Sequence, residues 1–279
     1  MSRITRVLRR RGPEFLGASL ALLLVGGLAA YHFRPADYAD GWPSNQAAPN
    51  RGAVDAAAAS VVGVLACSDP VCDADPIEPF DSQVKQLGSG WVVSPGRVVT
   101  TAHLVTGAQS TGVQIGGIGG TGRFYQGTVV LYDPGRDLAV LAVPGLPAPA
   151  LPLAVGAPLH RTDHAIVAGY TNDGSGPEYT LKGTVLIEYG RSTTPGRRLS
   201  GQESYQLTYF GQDFAGEFGI RAFGLSVLDG SPLLDGSGHV VGIAYPSQGD
   251  SGLALTLAAA RPVLDAAAGA TTPVSTGTL

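Results

Sequence analysis

Residues 88–103 read GSGWVVSPGRVVTTAH, and two short apolar runs in it, 91–93 and 98–101, flank the tetrad Ser94-Pro95-Gly96-Arg97. Proline followed by glycine suits the two central positions of a type II turn, so the stretch predicts two antiparallel strands joined tightly. The second strand runs directly into a histidine, His103.

Outward from this hairpin the chain keeps the same character. It has 279 residues, with 40 glycines and 20 prolines scattered among short apolar runs, which favours strands and turns over long helices. The net charge of −4 is unevenly spread: Arg3, Arg6, Arg9, Arg10 and Arg11 precede Gly12, and all 22 acidic residues follow it. The acidic remainder argues against a nucleic-acid partner.

Behind the basic head (1–14) comes FLGASLALLLVGGLAAY, residues 15–31, uncharged and close to the length a helix needs to cross a bilayer. A single transmembrane helix is expected over 15–33. The arginines should hold the N-terminus in the cytoplasm, which places the rest outside a cell membrane. A cleaved signal peptide is the competing reading, because Gly27-Leu28-Ala29 offers small residues at an acceptable spacing. The run is long for the apolar region of a signal peptide, which favours the uncleaved anchor. Residues 34–59, rich in Pro, Ala, Asn and Asp without a sustained period, read as a linker. Residues 60–267 form the domain, and 268–279 read as a disordered tail.

Cys67 and Cys72 are the only cysteines, and no histidine is their sequence neighbour. A zinc site would want more ligands. Outside the cytoplasm a short-loop disulfide is expected, with two free thiols as the alternative. His160 and His164 stand four apart, a ligand spacing only on a helix, and HRTDHAIVAGY reads as a turn entering a strand. His239 falls in a hairpin turn. No metal or cofactor is expected.

Twelve strands are predicted. Six lie at 61–66, 91–93, 98–101, 112–115, 125–132 and 138–143. After a proline-rich crossover at 144–158, six more lie at 165–170, 179–189, 205–210, 218–223, 239–245 and 253–257, followed by a short helix at 258–267. Periodicity alone suits two barrels or a sandwich. Here the motifs decide. GSGWVV followed by TTAH resembles the chymotrypsin-like serine proteases, especially the bacterial trypsin-like and HtrA-type branch, and YDPGRDLAVLAV (132–143) resembles that family's D-P-x-x-D-L-A-V-L signature. The resemblance covers about 61–267 and implies an all-β fold of two six-stranded antiparallel barrels. It also implies His103 as catalytic base and Asp137 as the carboxylate that orients it.

The third member of the triad is where the match fails. The family motif G-x-S-G-(G/S)-P meets VLDGSPLL at 227–234. Gly230, Ser231 and Pro232 fit, but Asp229 stands at the nucleophile's position. Val227 replaces the glycine whose N–H, with that of residue 229, would build the oxyanion hole. A carboxylate attacking an amide forms an intermediate from which the carboxylate leaves more readily than the amine, so it returns to substrate. Valine also restricts a turn that glycine leaves free.

Other serines compete for the role. Ser251, in GDSG (249–252), is a literal fragment of the motif and the best alternative nucleophile, although no Gly-Pro follows it. Ser175 lies in an early hairpin turn, and Ser226 and Ser231 flank Asp229 at the wrong positions. The expectation is a membrane-tethered, extracytoplasmic protease homologue, inactive as a peptidase, that binds a protein or peptide ligand in the cell envelope. The alternative is an active serine endopeptidase that uses Ser251. The sequence specifies no oligomeric state.

Overall fold

The structure is a computed structural model that describes residues 38–39, 41–72, 84–117, 122–172, 177–191, 199–209, 228–246 and 251–277. The basic head, the apolar run 15–31 and the strand predicted at 218–223 lie outside the described residues. No helix among the described residues is long and apolar enough to cross a membrane.

The first six strands are β1 (Val61–Cys67), β2 (Val84–Ser94), β3 (Arg97–Thr100), β4 (Ser110–Ile115), β5 (Phe124–Asp133) and β6 (Leu138–Ala142). They close into a barrel in the order β1-β2-β3-β6-β5-β4, every pair antiparallel. The predicted hairpin is its β2–β3 corner, and Gly96 has φ +65°, the positive value that the second central position of a type II turn requires.

A second closed barrel, in the order β10-β11-β12-β9-β8-β7, is made of β7 (His164–Asn172), β8 (Pro177–Arg191), β9 (Glu203–Tyr209), β10 (Pro232–Leu234), β11 (Val240–Pro246) and β12 (Ser251–Thr256). Among the described residues the strand that follows β9 is Pro232–Leu234, which pairs Leu233 with Gly242 on one side and Val167 on the other. Three residues are too few to show an alternating pattern, so sequence reading passes over them.

Period-2 alternation sorts the apolar side chains. Val62, Val64, Val92, Val98, Val113 and Leu141 fill the first barrel. Ala165, Val167, Leu186, Leu207, Leu233 and Ala254 fill the second. A third cluster draws Val61, Trp91, Val99 and Leu138 from the first barrel and Ile166, Leu234, Ile243 and Tyr245 from the second. All seven residues of β1 are buried: Val62 and Val64 serve the barrel interior, Val61 the shared core, and Leu65 and Cys67 a small cluster with Cys72.

Two stretches read as unstructured carry structure. Within 34–59, helix α1 (Arg51–Ala56) is capped by Asn50, whose side chain accepts from Ala53 N, and it buries Val54. Before it, the Gln46 amide grips both backbone groups of His164, accepting from its N–H at 2.6 Å and donating to its C=O at 3.3 Å. Asn50 N–H also donates to Gly236 C=O at 2.7 Å. This stretch is a strap on the second barrel, built on Gln46, Asn50 and Val54 rather than on a repeating period. Helix α3 (Leu257–Ala267), capped by Thr256, is followed by a tail that returns to the first barrel, where Val274 N–H donates to Val129 C=O at 2.9 Å. Cys67 and Cys72 are joined in a disulfide, and both are buried at the end of β1.

The barrels meet closely where the turn before β10 touches β2. Ser89 N–H donates to Asp229 C=O at 2.9 Å, and Gly230, at φ +88°, leaves only 2.4 Å between a hypothetical Cβ and Ser89 O. Gly230→Ala is therefore expected to destabilise the fold by more than ~2 kcal/mol. Gly190→Ala, where nothing lies within 4 Å, should stay within about 0.5 kcal/mol of wild type. Urea unfolding of the two variants checks both.

Candidate active site

His103 sits in α2 (Ala102–Val105), a single helical turn that begins as β3 ends. Asp137 closes the turn between β5 and β6 at φ 53°, a left-handed conformation that aspartate tolerates better than most residues. Several bonds hold it there. Its N–H donates to Pro134 C=O at 3.3 Å, and its C=O accepts from Ala102 N–H at 3.1 Å and from the Tyr245 hydroxyl at 3.0 Å. Its carboxylate accepts from His103 N–H at 2.8 Å and meets the ring Nδ1 at 2.8 Å through Oδ2 and 3.0 Å through Oδ1. A carboxylate accepts only, so Nδ1 carries a proton and Nε2 is turned away from Asp137.

What faces Nε2 is another carboxylate. Asp229 Oδ2 lies 3.4 Å from it, with the Asp229 side chain 9% exposed and the His103 side chain 32% exposed. The turn carrying Asp229 is tied down by Gly230 N–H to Ala244 C=O at 3.0 Å and Ser231 N–H to Leu228 C=O at 3.0 Å. Burial alone would lower the His103 pKa. The hydrogen bonds and charges of Asp137 and Asp229 outweigh it and raise the imidazole to about 9. The ring is thus an imidazolium at neutral pH. Burial first, and then the Asp229 charge, also push the Tyr209 hydroxyl up.

The structure brings His103, Asp137 and Asp229 together. Ser251 is the exposed first residue of β12, opposite Thr208, and the side chain that lies against Nε2 is that of Asp229. Ser231 is fully buried, its hydroxyl without a hydrogen-bond partner among the described residues. Val227, Ser226 and Ser175 lie outside the described residues. His160 caps a turn with Asp163, its N–H donating to Asp163 Oδ2 at 2.7 Å, while His164 starts β7 and is buried. His239 is paired with Asp235 at 3.7 Å. Among the described residues no group of three or more His, Cys, Asp or Glu gathers as a metal site.

Sequence reading missed three supports of the site. Tyr245, fully buried, donates its hydroxyl to the backbone of Asp137. Arg136 pairs with Asp133 at 2.7 Å and donates through Nε to Ala259 C=O in α3 at 3.0 Å, tying the Asp137 turn to the C-terminal helix. Ser89 anchors Asp229. The first two act through groups distant in sequence, so no local motif marks them. Ser89 lies inside GSG and carried that signal unread.

The family model for the trypsin-like peptidase domain matches residues 88–243, more than half of the chain. The chain belongs to that family. It is 32% identical over 235 residues to the serine protease Rv3671c of Mycobacterium tuberculosis, an alignment covering 76% of this chain and 53% of the relative. The chain therefore spans about half the length of the curated relatives it matches. Among solved structures, the active form of the Rv3671c protease superposes with a TM-score of 0.60 at 27% identity, covering 83% of this chain and 92% of that one. The HtrA-type protease AlgW with a tripeptide shares the fold, with a TM-score of 0.57 at 22% identity over 77% of this chain and 62% of that one.

The raised pKa links the site to stability. A histidine whose folded pKa lies above its unfolded value contributes stability that is full below about 6.5 and lost as pH rises through about 9. With discount for partial exposure of the ring, the loss across that window should be roughly 2–3 kcal/mol. Denaturation between these pH values should show this decline in wild type and a smaller one in Asp229→Asn.

Proposed function

We propose that this trypsin-like domain binds a protein or peptide ligand without cleaving it, and that it works outside the cytoplasm, held to the membrane by residues 15–31. One observation carries the first half: the group facing the Nε2 of His103 is the carboxylate of Asp229, not a hydroxyl. An imidazolium already holding a proton toward that carboxylate cannot accept one from a nucleophile, and the carboxylate itself cannot complete acyl transfer from an amide. A peptide-class ligand is supported by membership of the trypsin-like peptidase family, whose two closed barrels the domain keeps. The anchor is supported by the arginine head and the uncharged run behind it, and an extracytoplasmic setting by the Cys67–Cys72 disulfide, which suits an oxidising compartment. An active peptidase using Ser251 has less support, because that serine opens β12 opposite Thr208 while Asp229 faces the base.

The full-length protein should show no peptide turnover and no labelling by a serine-directed fluorophosphonate. Labelling that disappears in Ser251→Ala would replace this reading with the endopeptidase one. Combining Asp229→Ser with Val227→Gly should restore fluorophosphonate labelling, since His103 and Asp137 already hold the relation a serine nucleophile needs.

A further inference from the structure

A carboxylate that fails at an amide does not fail at every electrophile. The obstacle at a carbonyl is the leaving order, because attack gives an anhydride-like intermediate from which carboxylate departs before amine. Attack at a saturated carbon gives an alkyl ester instead, which does not revert once the displaced oxygen has taken a proton. The three side chains here meet the needs of that chemistry. Asp229 Oδ2 supplies the attacking oxygen, and His103 Nε2, 3.4 Å away, sits beside it. Asp137 fixes the ring through two contacts at 2.8 and 3.0 Å, so the Nε2 direction is set before any ligand arrives. The ring is about one-third exposed and the Asp229 side chain 9% exposed, which restricts the reaction to a small electrophile approaching along the ring.

We propose that Asp229, His103 and Asp137 open terminal epoxides by way of an alkyl ester on Asp229. In the first step a carboxylate oxygen of Asp229 forms a bond to the terminal ring carbon as that carbon's bond to the ring oxygen breaks. The released alkoxide takes the proton from His103 Nε2. Asp229 is then a neutral ester, and one of the two anions that kept the ring protonated has gone. His103 becomes a base at the moment one is needed. In the second step the neutral imidazole takes a proton from water as the water oxygen attacks the ester carbonyl. Collapse breaks the acyl–oxygen bond, and the departing alkoxide takes the water's remaining hydrogen. The product is a diol, and the site returns to carboxylate and imidazolium. The sum is epoxide plus water, with no other reactant.

This inference rests on Asp229 lying beside His103 and goes beyond the binding reading, which concerns peptides alone. The test is incubation of the full-length protein with para-nitrophenyl glycidyl ether in heavy-oxygen water, followed by peptide mapping and assay of the diol. Asp229 should be esterified, or carry heavy oxygen after turnover, at least about tenfold faster than any other carboxylate, with neither signal at residue 229 of Asp229→Asn. The rate should fall as pH rises through about 9, where the ring loses the proton that the opened oxygen needs. His103→Gln should slow ester formation and leave any ester formed unhydrolysed. If folded wild-type protein shows Asp229 alkylated and exchanged no faster than surface carboxylates, the proposal is overturned while the absence of peptidase activity still stands. Fluorophosphonate labelling of a serine would have the opposite effect.

Discussion

The carboxylate of Asp229 is almost wholly withdrawn from solvent, and a buried carboxylate must be paired or hydrogen-bonded to be tolerated. His103 is the cation that meets it, and this pairing governs what the domain can do. The same contact decides the charge on the ring. Two anions, one on each ring nitrogen, overcome the penalty of burial and keep the imidazole protonated well above neutral pH. A serine protease needs the reverse, an Nε2 free to accept a proton. The aspartate at the nucleophile's position thus exchanges a base for an ion pair. Removing His103 would leave the Asp229 carboxylate buried without its cation, which is destabilising.

The fold supplies the conditions for that contact. His103 and Asp137 come from the first barrel and Asp229 from the turn that feeds the second, so the cluster exists only while the barrels stay in register. The register is held by the hydrogen bond from Ser89 to Asp229 and by Gly230, the residue that lets the turn press against β2. Behind them, Tyr245 reaches from β11 to the backbone of Asp137 and Arg136 reaches to α3. The left-handed backbone at Asp137 persists because contacts on every side over-determine it.

Much of this was legible in the sequence because the informative residues cluster. The Pro95-Gly96 turn, the run into His103 and the D-P-x-x-D signature each combine local propensity with a chemical residue, and the barrels follow from the family that these motifs resemble. Asp229 was legible for the same reason: glycine, serine and proline around it fixed the alignment, and the departure stood out. What was not legible depends on distant partners. The strap over 41–60 has no period because it is held by single side chains, such as Gln46 gripping the His164 backbone. The tail looked disordered although Val274 finds Val129 in another element. β10 is a strand only because β7 and β11 lie on either side of it.

The central claim is that His103 is held as an imidazolium between two carboxylates, and the ring-nitrogen chemical shifts of His103 near neutral pH test it most directly. The account predicts that Nδ1 and Nε2 both carry protons in wild type, and that in Asp229→Asn, with one anion removed, the Nε2 proton is lost at a lower pH. An unprotonated Nε2 in the wild-type protein near neutral pH, or the same titration in both proteins, would contradict it.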